Sequence, residues 1–227
     1  MTETSPHPDI TRPHTDATRS SYDTVAVAYA DLLDAELGNK PFDRAMLGAF
    51  AEQVRASGVP GPVADLGCGP GRVAAYLDGL GLGLDLLGID LSPEMVAVAR
   101  HRHPRHRFEV GSMTALDLRD DSLAGALVWY STVHTPPEEL PVMFGEFNRT
   151  LAPGGHLLIA FKVGDERVRL EHAYGHPVAL DVYRFPPDLV AGLLREAGLV
   201  EVARLVREAD AQEKTPQAFI LARKPQR

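Results

Sequence analysis

Apolar residues recur every three to four positions in some stretches of the chain and gather into short runs in others. From Ser21 the chain reads Ser-Tyr-Asp-Thr-Val-Ala-Val-Ala-Tyr-Ala-Asp-Leu-Leu, with Tyr22, Val25, Ala26 and Tyr29 at the spacing of one helix face. A second helix is predicted over 40–57, where Phe42, Met46, Leu47, Phe50 and Val54 share a face and Gly58 ends it. Pro60-Gly61-Pro62 then breaks the pattern. Beyond it, apolar runs predict strands at 63–66, 84–90, 108–110, 123–130, 156–161, 200–207 and 217–222. Helices fall between them, from Pro70, from Ser92, over 136–151 and over 186–197. Ser92 suits an N-cap, Pro93 the first helical position and Glu94 the first turn. This alternation predicts a parallel sheet covered on both faces. Residues 162–185 break the rhythm with charges, two histidines and three aromatic side chains, and read as an irregular insertion.

The chain around residues 63–72 has its own grammar: Val-Ala-Asp-Leu-Gly-Cys-Gly-Pro-Gly-Arg. Glycines at alternate positions allow positive φ and let backbone approach a ligand, and a helix that follows aims free N–H groups and its positive dipole end at the same place. That is the sequence of a nucleotide-type ligand turn. A dinucleotide site would want G-x-G-x-x-G, but Arg72 occupies the third glycine position.

Composition narrows the choices. Residues 1–20, rich in Pro, Thr, Ser, Asp and His, are expected to be a disordered tail, and 21–60 a helical cap on a domain covering 61–227. The formal net charge of −8 argues against a nucleic-acid partner. No apolar run is long enough for a membrane span, no signal-peptide h-region opens the chain, and a cytoplasmic location is expected. Cys68 is the only cysteine, which excludes an internal disulfide and a cysteine-rich metal site. His172 and His176 lie four apart but bracket a Tyr-Gly with Pro177 following, so no metal is expected.

Three segments, Asp65-Leu-Gly-Cys-Gly-Pro-Gly71, Gly88-Ile-Asp90-Leu-Ser-Pro-Glu-Met and Leu151-Ala-Pro-Gly-Gly-His-Leu-Leu158, together resemble the class I S-adenosylmethionine-dependent methyltransferases. The resemblance is clear over about 60–160. It implies a Rossmann-like α/β fold with a seven-stranded, mostly parallel sheet, an antiparallel last strand and helices on both faces. It also implies S-adenosyl-L-methionine as cofactor and S-adenosyl-L-homocysteine as product. Asp90, at the end of the second strand, suits the ribose diol because a carboxylate accepts two hydrogen bonds. Gly67, Cys68 and Gly69 would admit the ribose and amino-acid portions, with Asp65 positioning the ammonium end. Leu91 and Met95 would sandwich the adenine, although Met95 fits the core equally well. The resemblance assigns the adenine edge to Gly111, Ser112 and Met113, and the methionine end to Tyr130 and Ser131. Tyr22 and Tyr29 either pack on the core or cover the ligand.

Methyl transfer needs an aligned acceptor, excluded water and, for a hydroxyl, a base. His134, in the loop after the fourth strand, is the candidate base, or else a histidine that holds the loop. His172, Tyr174, His176 and Tyr183 of the 163–185 insertion would wall a substrate site. The expected partner is a small-molecule acceptor methylated on O, N or C, with the chain a monomer or homodimer. The alternatives are an NAD(P)-dependent oxidoreductase and a non-catalytic cofactor-binding protein of the same fold.

Overall fold

The computed structural model of the chain describes residues 13–226. Seven strands form one sheet: β1 (Val63–Leu66), β2 (Leu86–Asp90), β3 (Arg107–Val110), β4 (Leu123–Trp129), β5 (Leu151–Lys162), and, numbered past a separate hairpin, β8 (Val200–Arg207) and β9 (Gln217–Arg223). The hairpin strands are β6 (Arg167–Ala173) and β7 (His176–Tyr183). The sheet order is β3-β2-β1-β4-β5-β9-β8. Pairs from β3 through β5 are parallel, and β9 runs antiparallel to both β5 and β8. The order reverses between β1 and β4, so their carboxyl ends flank the crevice in which open α/β sheets bind ligands.

Period-two alternation sorts the buried side chains onto two faces. Leu157, Ile159 and Phe161 of β5 face one core, with Ile220 of β9 and with α5 (Leu140–Thr150) and α6 (Pro187–Glu196) over them. Leu158 and Ala160 face the other core, together with Phe219 and with α2 (Pro41–Ser57), α3 (Arg72–Gly79) and α4 (Pro93–Arg102). The helical stripe anticipated over 40–57 places Met46, Leu47, Phe50 and Val54 in that second core, while Phe42 stays exposed. The Ser92 cap forms as expected, its Oγ accepting from Met95 N at 3.1 Å.

Several boundaries differ from the sequence reading. Helix α1 spans Pro13–Leu33, so residues 13–20 belong to it rather than to a tail; residues 1–12 lie outside the described residues. Its first turns contain little apolar content; farther along, Val25 and Ala26 pack on Met95, and polar contacts add to the hold. Pro70 sits in the turn, and α3 begins at Arg72 behind Gly71, whose φ is +81°. Residues 151–155 extend β5 rather than making a turn before it. The region expected to be irregular is the β6–β7 hairpin, with a register shift between Leu170 and His172, closed by Tyr174 and Gly175 at φ +53° and +80°. Both central residues of a two-residue hairpin turn need positive φ in this geometry. Val168 and Leu170 alternate with Arg167, Arg169 and Glu171, a strand signal masked by the charges around it.

Candidate active site

The glycine turn is stitched to β2 before any ligand is considered. Gly67 N and Cys68 N both donate to Ile89 O, at 2.7 and 3.1 Å. Gly69 N donates to Asp90 Oδ2 at 2.7 Å, and Ser92 N to Asp90 Oδ1 at 2.9 Å. Asp90 therefore bridges the loops after β1 and β2, with lone pairs to spare on each oxygen. Burial raises its carboxyl above the usual range, and these backbone donors oppose the rise.

The glycines serve different neighbours. A Cβ at Gly67 would lie 2.3 Å from Ser131 Cβ, and one at Gly71 2.7 Å from the Phe108 ring. Both positions let protein approach protein. Only at Gly69 does the missing side chain leave ligand room, with its nearest neighbours Tyr29 at 3.7 Å and Met95 Sδ at 4.0 Å. Ser131 Oγ in turn donates to Leu66 O at 2.8 Å, fastening the β4 loop to the end of β1.

A cleft of about 860 Å³, counting its open mouth, lies above this turn. Gly67, Gly69, Asp90, Leu91 and Met95 form one side, 111–114 the next, and Tyr130, Ser131 and His134 the third. Helix α1 roofs it with Thr15, Thr18, Tyr22 and Tyr29. The structure thus gathers Tyr22, Tyr29, Gly67, Gly69, Asp90, Leu91, Met95, Gly111, Ser112, Met113, Tyr130, Ser131 and His134 around one space. Ser112 Oγ is within 3.0 Å of Thr114 Oγ1 and accepts from Thr114 N at 3.3 Å, which orders that loop.

Other expected residues are elsewhere. Cys68 is buried in the core, and a Cβ on Gly88 would lie 2.9 Å from its Sγ, so its side chain turns away from the cleft. Asp65 lies behind the turn rather than on the cleft wall. It is 2% exposed, and neither carboxylate oxygen has a hydrogen-bond partner. Burial, with a contribution from Asp90, raises its pKa to about 7 against the opposing pull of Arg72. His172 is exposed on β6, and His176 is half-buried at the start of β7. Tyr183 stacks on Phe185 with ring centroids 6.4 Å apart. None of these three lines the cleft: Tyr183 alternates away from Leu180 and Val182, and the strand register shifts between Leu170 and His172.

His134 is held from both sides. Its Nδ1 is 2.8 Å from Asp181 O, a carbonyl that only accepts, so Nδ1 carries the hydrogen. Its Nε2 then accepts from the Tyr22 hydroxyl at 2.7 Å. Burial lowers its pKa to about 4, with the Asp181 carbonyl opposing and Lys162 assisting, far from the ordinary histidine value assumed from sequence. Tyr130, at the end of β4, has φ +56°, a conformation costly for a large side chain and held here by Tyr130 N donating to Ala160 O at 2.9 Å.

Behind the Tyr22–His134 contact lies a second cavity of about 1380 Å³ including its mouth. Tyr22, Tyr29, Tyr130 and His134 line both spaces and form the wall between them. Tyr174 joins this second cavity, its ring 4.9 Å from that of Tyr29. Arg72 reaches into it and pairs with Glu36 at 2.9 Å, so the residue that broke the dinucleotide pattern serves the neighbouring space. Sequence reasoning missed Thr15, Thr18, Arg72 and Lys162, whose positions depend on contacts remote along the chain.

A family model described as a methyltransferase domain matches residues 63–155. Trans-aconitate 2-methyltransferase of Rhizobium meliloti is 36% identical over 99 residues, which cover 44% of this chain and 37% of that protein. Carboxy-S-adenosyl-L-methionine synthase of Chromohalobacter salexigens is 37% identical over 128 residues, 52% of this chain and 45% of that protein. The chain thus spans less than half the length of these curated relatives. Among solved structures, a 1,6-didemethyltoxoflavin-N1-methyltransferase of Burkholderia thailandensis, with S-adenosylhomocysteine bound, aligns at TM-score 0.68 and 21% identity over 99% of this chain and 93% of that one. Magnesium protoporphyrin IX methyltransferase of Synechocystis, with S-adenosylmethionine bound, aligns at TM-score 0.69 and 14% identity over 95% and 99%. Residues 63–155 thus match the methyltransferase domain, set within a seven-stranded sheet of order β3-β2-β1-β4-β5-β9-β8 whose fold is shared with these solved structures.

Proposed function

We propose that this protein transfers a methyl group from S-adenosylmethionine to oxygen, nitrogen or carbon of a small molecule. The supporting observation is the pair of carboxylates on either side of the glycine turn, Asp65 buried and Asp90 half-buried. Asp90 keeps free lone pairs facing the cleft, and Asp65 has no partner for either oxygen. A ribose diol suits the first, and a cationic ammonium, reached through the turn or a bridging water, suits the second. When bound, the cofactor supplies an electrophilic methyl group and a neutral sulfide leaving group.

The chain's own residues do the rest. Leu91 and Met95 offer apolar contact to a purine face, and Ser112 and Met113 border its edge. Tyr22 and Tyr29 close the roof and exclude water. His134 keeps its Nε2 lone pair directed at the Tyr22 hydroxyl. An acceptor hydroxyl that meets Tyr22 passes its proton to the phenol oxygen while the phenol proton moves to Nε2. An acceptor that arrives as an anion or free amine needs no such transfer. The small-molecule class is supported by relatives named for acting on trans-aconitate and, in the structural comparison, on 1,6-didemethyltoxoflavin.

Titration calorimetry tests the reading. S-adenosylhomocysteine should bind the folded protein, and Asp90→Ala should weaken binding about a hundredfold, since two hydrogen bonds to a charged group are lost. Absence of binding to folded wild-type protein rejects the assignment. Transfer of labelled methyl to a panel of metabolites that includes trans-aconitate then identifies the acceptor atom.

A further inference from the structure

The second cavity has a surplus of positive charge and of hydrogen-bond donors. Its carboxylates are already matched: Glu36 by Arg72 at 2.9 Å, Asp43 by Arg207 at 3.3 Å, and Glu213 by Lys40 at 2.7 Å and Arg207 at 2.6 Å. Arg184 pairs with Glu166 at 2.5 Å, yet its buried Nε has no partner. The buried Tyr130 hydroxyl is also unpartnered. Lys162, the last residue of β5, lines the cavity half-buried, and its side chain makes no hydrogen bond or ion pair with any described residue. An ammonium taken from water without a counter-charge is costly, and a protein ordinarily pairs it.

We propose that this cavity is the acceptor chamber and that Lys162 anchors a carboxylate carried by an acceptor with an apolar or aromatic body. The body is specified by the walls. Val168, Leu170, Leu180 and Val182 come from the hairpin, and Tyr29 and Tyr174 present ring faces and edges. The charge is specified by the half-buried Lys162 ammonium, with Arg184 Nε and the Tyr130 hydroxyl as further donors for the same group and the exposed Lys214 adding positive charge at the cavity's edge. Burial and the nearby Arg184 lower the pKa of Lys162 against the weaker opposing pull of Glu213 and Glu36, and an anion at this place adds to that pull. Lys162 also lies near enough to disfavour a proton on His134, which puts the anchored group on the side of the wall where the proton-accepting pair stands. The assignment rests on reading the chain as a methyltransferase, and its test separates the two claims.

The test titrates matched acid and amide pairs, benzoate with benzamide and trans-cinnamate with cinnamamide, into protein saturated with S-adenosylhomocysteine. The acids should bind about tenfold or more tightly than the amides. Lys162→Met should bring the acids down to the level of the amides, and Lys162→Arg should keep the preference. S-adenosylhomocysteine affinity should match wild type in both variants, which shows that they fold and that the cofactor reading stands independently. Equal binding of acid and amide, a preference that survives Lys162→Met, or no binding of either acid at millimolar concentration overturns the proposal.

Discussion

Asp65 is buried behind the cleft and His134 half-buried in its wall, and desolvation drives both toward their uncharged forms with opposite effects on stability. His134, lowered to about 4 from an ordinary 6.5, takes up a proton in the unfolded chain before it does in the folded one. Its contribution is therefore fully present above pH 6.5 and is lost as the pH falls toward 4. Asp65, raised from 3.8 to about 7, holds its proton in the folded chain where the unfolded chain has released it, so its contribution grows on acidification. Each amounts to about 2 kcal/mol between neutrality and about pH 5, and in wild type they nearly cancel. Urea midpoints at the two pH values should accordingly diverge in the variants. His134→Gln should become relatively more stable at the lower pH, and Asp65→Asn relatively less. A ligand ammonium placed by Asp65 should also expel its proton, so the binding enthalpy of S-adenosylhomocysteine near neutrality should depend on the ionisation heat of the buffer. Tyr22→Phe removes the donor to Nε2 without emptying the wall. It should lower turnover of a hydroxyl acceptor while leaving cofactor affinity within a fewfold, a contrast between kcat and Kd that steady-state kinetics and calorimetry resolve.

At the scale of elements, α1 is tied down by polar contacts near its middle and end. Ser92 Oγ donates to Asp23 Oδ1 at 2.6 Å, at the amino end of α4, where that carboxylate also meets the helix dipole. Ala179 N donates to Ser21 Oγ at 3.0 Å, joining the helix to the hairpin, and Arg102 pairs with Asp31. Asp23→Ala should raise amide exchange in α1 and weaken cofactor binding severalfold, with little change in the global unfolding midpoint. These contacts also show what could be read from the residues alone. The cap at Ser92, Pro93 after it and Asp90 before it are local patterns, and the structure reproduces them. The two tyrosines of α1 carried the right spacing for a helix, but only the fold shows that their face lines the cleft. The first turns of α1 were illegible because residues 13–20 offer almost no apolar stripe. Lys162 was illegible for a different reason: its meaning depends on which carboxylates elsewhere are already paired, and pairing across more than a hundred residues leaves no spacing to read.

The whole molecule is acidic, with a formal net charge of −8, and no helix among the described residues is long and apolar enough to cross a membrane. Its two cores share one sheet, so a ligand bridging the loops of β1, β2 and β4 should stabilise them together. At a hundred times its dissociation constant, S-adenosylhomocysteine should add about 2.7 kcal/mol, which for a chain of this size raises the melting temperature by roughly 5–10 °C in a thermal scan. Asp90→Ala should remove most of that gain.

The tyrosine partition has a kinetic corollary. One helix lines both spaces, and under the methyltransferase reading we predict that the nucleoside settles beneath it before the acceptor enters the far compartment. Turnover then has a compulsory sequence, with cofactor arriving first and spent cofactor leaving last. Product-inhibition plots should display it: S-adenosylhomocysteine competes with S-adenosylmethionine but acts noncompetitively toward the acceptor, whereas a random order would make the patterns alike.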